Sequence, residues 1–270
     1  MQPIVVGVDD SEPSLRAMDW AADEAALRGA PLRLVHASTW RRYEEDGAGG
    51  WSHDLRLLES AARRAQRRAP EVTITTEVAA EDPEPALLRA ARDAGALVLG
   101  SRSRPGLTEL LRGSVSLTVA ARAECPVIVV RGHHDNQARP GVHGRVVVGV
   151  GGPAAVRFAV REAEVRDAEL EAVRTWRSPA RPAPSGEAVR PPEQRASAAL
   201  ERALRHAPER LRIRRRTAEG HARRLLVSAS FAADLLVVGT RSRAGRLGLV
   251  THRVLHDAAC PVAVVPERRR

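Results

Sequence analysis

Apolar residues in this chain fall into short unbroken runs separated by longer amphipathic stretches. Pro3 to Asp9 is such a run, as expected of a strand buried on both faces of a parallel sheet. Ser11 then stands as an N-cap with Pro13 in the first turn, and Leu15, Met18, Ala22 and Ala25 make one apolar helical face that Gly29 ends. Leu32 to Ala37 is a second strand. A loop rich in charge and glycine (Arg41 to Gly50) leads into a basic helix from about Ser52 to Ala69. Val72 to Val78 alternates like an edge strand, and Pro83 or Pro85 starts a third helix. Ala96 to Gly100 is the fourth strand, Gly113 to Ala123 the fourth helix and Pro126 to Val130 the last strand. Strict alternation of strand and helix predicts an α/β fold, with a parallel sheet and helices on both faces.

The pattern then starts again. Arg145 to Val150 repeats Pro3 to Val8, Leu170 to Thr175 repeats Leu32 to Ala37, Leu235 to Gly239 repeats Ala96 to Gly100, and Cys260 to Val265 repeats Cys125 to Val130. One domain has been duplicated in tandem. The boundaries read as a first domain over 1–131, a linker over 132–143 without apolar period, and a second domain over 144–270. Histidines in the linker read as solvated residues rather than metal ligands. The two cysteines, Cys125 and Cys260, occupy the same place in each repeat and read as small buried residues.

Composition narrows the chemistry. The net charge is +10, yet all 43 basic residues are arginine. Without lysine a P-loop, a Schiff-base enzyme and a protein kinase all lack their amine. Residues 1–143 carry 18 Arg against 20 Asp plus Glu, and residues 144–270 carry 25 against 13, so the excess lies in the second half. Part of it is Arg210 to Arg216, where alternation puts four arginines on one face of a predicted edge strand, a device that blocks strand addition. Scarce aromatics and the lack of a nucleic-acid motif argue against specific RNA or DNA recognition. No apolar run approaches the roughly 20 residues that span a bilayer, and no signal-peptide pattern precedes the first strand, so a cytoplasmic protein without a membrane partner is expected.

The stretch with chemistry runs from Val98 to Ser116. An apolar strand ends at Gly100, a polar basic loop follows, and Gly113 with Ser114 opens a helix. Unpaired amides at a helix start, at the positive end of the dipole, suit a phosphate. This stretch resembles the nucleotide-binding signature of the universal stress protein family, which reads Gly, two residues, Gly, nine residues, Gly, then Ser or Thr. Gly100, Gly113 and Ser114 match in register, and Ser103 stands where the family has its second glycine. Pro105 in the same loop lacks an N–H.

The resemblance covers both halves. It implies two doubly wound domains, each a five-stranded parallel sheet of order 3-2-1-4-5, with ligands beyond the strand ends between strands 1 and 4. It implies adenine nucleotide, ATP with Mg2+ as its companion, as ligand: Asp9 near the adenosine, the backbone around Ala37 facing the base, and Gly100, Ser103, Gly113 and Ser114 around the phosphates. It also implies that the halves pack as an intrachain pseudo-dimer through their last strands, with a homodimer as a further possibility. The expected function is that of a non-catalytic regulator. Its alternatives are a nucleotide-free module that meets anionic partners through the basic half, and a slow ATPase.

The second half departs further from the pattern. Gly151 replaces Asp9 and Leu249 replaces Ser114. Gly239 to Gly248 is 9 positions against 13 from Gly100 to Gly113, and Gly151 to Ala155 stands where Asp9 to Ala17 stands. An empty, structural site is expected there. Gly149 to Ala154 fits the Gly-x-Gly-x-x-Gly/Ala dinucleotide fingerprint, but the strand is expected to run on through Val150, and the repeat explains Gly151 as a substituted Asp. His252 and His256, four apart on the last helix, lack a third ligand and read as solvated.

Overall fold

The computed structural model describes residues 1–38, 48–101, 115–131, 142–178, 191–240 and 246–267. The first half runs β1 (Ile4–Gly7), α1 (Glu12–Arg28), β2 (Leu32–Ala37), α2 (Ala48–Arg68), β3 (Ile74–Ala79), α3 (Pro83–Ala90), β4 (Ala96–Ser101), α4 (Val115–Arg122) and β5 (Val127–Arg131). The second repeats it as β6 (Arg145–Gly149), α5 (Pro153–Val165), β7 (Glu169–Trp176), α6 (Pro192–Leu204), β8 (Ile213–Glu219), α7 (Ala222–Ser230), β9 (Leu235–Thr240), α8 (Leu249–Asp257) and β10 (Val262–Pro266).

All ten strands join one sheet in the order β3-β2-β1-β4-β5-β10-β9-β6-β7-β8. Each half is therefore a parallel 3-2-1-4-5 sheet, and the halves meet where β5 and β10 pair antiparallel, with Val127 opposite Val264, Ile128 opposite Ala263 and Val129 opposite Val262. What would be two unpaired apolar edges cover one another.

The continuously apolar strands are buried on both faces. Ile4 and Val6 of β1 pack into the cluster that α1, α2, α5 and α6 cover, whereas Val5 packs into the one covered by α3, α4, α7 and α8. Local signals set the helix ends. The Ser11 hydroxyl accepts from the Ser14 N–H at the start of α1. Gly29 ends it at φ 60°, where its N–H and that of Ala30 donate to the carbonyls of Ala26 and Ala25, a left-handed cap that a side chain would strain.

The arginine-rich strand β8 is an edge of the sheet. Its neighbourhood is laced with short-range pairs: Arg216 lies 3.3 Å from Glu171, Arg210 2.5 Å from Glu164, and Arg212 donates to the Asp167 carbonyl at 3.4 Å. Both cysteines are buried, and burial pushes their thiols upward, that of Cys125 to about 12, so neither is a thiolate at neutral pH. No helix among the described residues is long and apolar enough to cross a membrane.

Candidate functional site

In a 3-2-1-4-5 sheet the chain leaves β1 and β4 in opposite directions, and the crevice between their carboxyl ends is where ligands bind. Val6 pairs with Val98, so Asp9 and Gly100 emerge from adjacent strand ends. The Asp9 carboxylate accepts from the Ser11 N–H at 2.9 Å and from the Ser11 hydroxyl, and the Asp9 N–H donates to Ser14 Oγ at 2.8 Å. These bonds fix the turn into α1 and hold the carboxylate, half-buried, at the rim of the crevice.

Gly100 has a packing reason of its own. A Cβ there would lie 2.5 Å from the Pro13 carbonyl group and 2.8 Å from the Ser14 nitrogen, so the first turn of α1 can approach β4 only over a glycine. Its carbonyl accepts from Ser116 Oγ at 2.8 Å, which pins the start of α4 to the end of β4. The segment 102–114 therefore leaves and returns at one point of the crevice. Ser103, Gly113 and Ser114 lie within it, outside the described residues.

At the end of β2, Ala37 pairs with Ala79, and the next residue, Ser38, donates its N–H to the Ala79 carbonyl at 2.9 Å. Two features here escaped the sequence reading. His36 stands with Nδ1 2.8 Å from the Val8 carbonyl and Nε2 3.2 Å from Asp54 Oδ1, and so ties β2 to the end of β1 and to α2; facing a carbonyl, Nδ1 is the donor. Ser38 is 6% exposed and Asp54 4% exposed, and neither Ser38 Oγ nor Asp54 Oδ2 has a hydrogen-bond partner. Orphaned buried polar atoms are costly and uncommon. A donor-and-acceptor hydroxyl and a spare carboxylate oxygen suit the ring nitrogen and exocyclic amine of a base. The signal in the sequence was a histidine in the apolar run Leu32 to Ala37, with an aspartate early in the following helix.

The second half repeats this geometry with other side chains. Gly7 pairs with Val35 and Gly149 with Val173, so His36 corresponds to Arg174 and Ser38 to Trp176. Arg174 donates to the Val150 carbonyl at 2.5 Å, as His36 does to that of Val8. Thr251 Oγ1 donates to the Gly239 carbonyl at 3.4 Å, as Ser116 does to that of Gly100. A tryptophan replaces the orphaned serine, and Leu249 at the start of α8 is 90% exposed.

The strand β6 ends at Gly149, one residue short of expectation, although the Val150 N–H continues toward the Val173 carbonyl at 2.9 Å. Beyond it, the Glu267 carboxylate accepts from the N–H groups of Ala154 (3.2 Å) and Ala155 (3.1 Å) at the start of α5. Among the described residues no group of three metal-ligating side chains occurs. His256 Nδ1 faces Asp257 Oδ1 at 2.6 Å, and His252 is exposed. The linker histidines His133 and His134 lie outside the described residues.

A family model described as the universal stress protein family matches residues 1–131 and 143–266. A universal stress protein of Mycobacterium tuberculosis is 33% identical, over 97% of this chain and 96% of its own length. One of Mycolicibacterium smegmatis is 32% identical, over 98% and 97%. The crystal structure of a universal stress protein from Archaeoglobus fulgidus covers 98% of this chain and 96% of its own at a TM-score of 0.74, with 16% identity, which is a likeness of fold.

Proposed function

The chain belongs to the universal stress protein family in its tandem form, and from that membership we propose that it is a non-catalytic, ATP-binding regulator of the stress response, in which the first half takes the nucleotide and the second is structural. The observation that carries this reading is the pair of orphaned polar atoms, Ser38 Oγ and Asp54 Oδ2, buried at the end of β2. A folded chain retains such groups at a stability cost of about 1–3 kcal/mol each, which a bound base would remove. Asp9 stands at the rim to accept ribose hydroxyls. The pinned ends of segment 102–114 bring Gly113 and Ser114, by sequence, to the mouth of α4, where amides and a hydroxyl meet the phosphates. Mg2+ enters with the triphosphate.

Asymmetry supports the division of labour. Gly151 for Asp9, Trp176 for Ser38 and Leu249 for Ser114 remove from the second half each group assigned a role in the first. A lysine-free chain also lacks the usual amine of phosphoryl transfer. The β5–β10 seam we read as the intrachain counterpart of a dimer interface, so that a homodimer would have to use another surface. Calorimetric titration of the full chain with ATP tests the reading, with mass spectrometry identifying any nucleotide carried through purification. One site per chain is expected; two equal sites or none would overturn it.

A further inference from the structure

Glu267, the residue after β10, does something in the second half for which the first has no counterpart. Its N–H donates to the Thr240 carbonyl at 3.1 Å and anchors it to the end of β9. Its side chain crosses to α5, where Oε2 and Oε1 accept from the N–H groups of Ala154 and Ala155. The approach is close on both sides: a Cβ at Gly152 would lie 2.4 Å from the carboxyl carbon, and one at Gly239 3.0 Å from Oε1. The carboxylate is thus lodged between the ends of β6 and β9, at the reversal point of the second sheet.

The repeat explains why there is room. In the strands Gly7 corresponds to Gly149, but in the helices Trp20, Glu24 and Arg28 correspond to Phe158, Glu162 and Arg166, a register four residues shorter. On that register Pro153, the first residue of α5, matches Leu15, whereas α1 starts at Glu12. The second half lacks about one helical turn, and it is this first turn that packs its backbone against Gly100 in the first half. The missing turn leaves a gap lined by two amides at the positive end of a 13-residue helix whose N-cap, Gly152, has no side chain. An oxyanion fits that gap, and the structure holds one there.

We propose that this gap is an oxyanion-binding site of the phosphate class and that Glu267 is its built-in competitor, so that a phosphate-bearing ligand enters the second half only by displacing the carboxylate. The site is independent of the one proposed in the first half. A cap alone would need only α5; this carboxylate also takes the space that Gly239 leaves at the end of β9.

The test is chemical rescue in the full chain. Wild type, Glu267→Ala and Glu267→Gln are melted in rising inorganic phosphate at constant ionic strength. Glu267→Ala is expected to melt several degrees below wild type and to regain most of that loss as phosphate saturates the vacated amides, by the mass-action law for a ligand that binds only the folded state. Glu267→Gln, which keeps the shape that fills the gap, and wild type are expected to gain much less. If phosphate raises all three alike, or if Glu267→Ala is destabilised without rescue, Glu267 is a helix cap and the proposal falls. Should Glu267→Ala fail to fold, Glu267→Asp, which draws the carboxylate back by one methylene, is titrated in its place and read by the same criteria. Failure of the first-half reading would instead appear as a wild type indifferent to ATP, and would leave the difference in phosphate response between the variants unchanged.

Discussion

Arg166, the residue that caps α5, donates to Glu24 of α1, and Arg28 of α1 makes the reciprocal contact to Glu162 of α5. Each arginine also pairs with the glutamate four residues earlier on its own helix. Arg166 lies 5.7 Å from the centroid of the Trp20 ring, and Arg28 lies 5.7 Å from that of Phe158. Residue for residue this is the two-fold reciprocity of an isologous interface, here within one chain. Glu24 and Glu162 are 1% and 2% exposed, so the four charges have left water and depend on one another. Arg166→Met is expected to lower stability by about 3–5 kcal/mol, since it strands buried carboxylates. Adding Glu24→Gln to that variant should restore part of the loss in a denaturant-melt double-mutant cycle. Arg166→Lys is not expected to substitute, because a single ammonium cannot serve both carboxylates and lie over Trp20.

The same cluster gives stability a pH dependence. Burial raises the Glu162 carboxyl to about 7, with Glu24 pushing the same way and Arg166 and Arg28 pulling against it. Below the ordinary value of 4.5 the group is protonated in folded and unfolded chains alike. Between 4.5 and about 7 the unfolded chain gives up the proton that the folded chain keeps, so stability falls as pH rises through this window. The expected contribution is a loss of up to about 3 kcal/mol between pH 4.5 and 8. Glu162→Gln, measured beside wild type in urea at each pH, should flatten that part of the profile. An unchanged slope would show that the arginines hold Glu162 ionised throughout.

This quartet also marks what the sequence left unread. Aromatic, three residues, Glu, three residues, Arg is written in both helices, at Trp20-Glu24-Arg28 and Phe158-Glu162-Arg166, but charges spaced four apart read as a solvated face until a partner helix is known. The strands were legible because a parallel sheet buried on both faces needs unbroken apolar runs, and α1 because Ser11 and Gly29 carry their signals locally. Glu267 was not, since its amide partners lie 113 and 112 residues away. Asp9 and Gly100 were found by motif, yet the structure gives each a local task as well: Asp9 ties the turn to Ser11, and Gly100 admits the first turn of α1. The orphaned pair could not be found from sequence, because a buried hydroxyl without a partner is defined by what surrounds it.

One chain is expected to bind one ATP, through the first half. Asp9→Ala should weaken binding by roughly 1–3 kcal/mol through lost hydrogen bonds to the sugar. Because the carboxylate also accepts from Ser11, the variant should lose some stability as well, and calorimetry below its melting range separates the two effects. Gly113→Val should obstruct the phosphates, whereas Gly248→Ala, at an N-cap with φ of −66° and open space around it, should leave affinity unchanged. Affinity insensitive to Gly113→Val would place the ligand elsewhere.

Ser38→Ala separates a ligand-binding hydroxyl from a structural one, because the two predict opposite signs. In the absence of ligand, Ser38 Oγ is buried and makes no hydrogen bond, so its removal relieves an unsatisfied group and is expected to raise stability by about 1 kcal/mol. With nucleotide bound, the hydroxyl gains its partner, so the same substitution should weaken ATP by about tenfold, the equivalent of ~1.4 kcal/mol. The backbone N–H of Ser38, which donates to Ala79, is untouched by the change and keeps the end of β2 in place. Melting curves of wild type and Ser38→Ala with and without ATP read both signs at once: the variant melts higher when free and gains less from the ligand. A variant that melts lower when free would mean that the hydroxyl already has a partner in solution, and an equal gain from ATP would move the base away from β2.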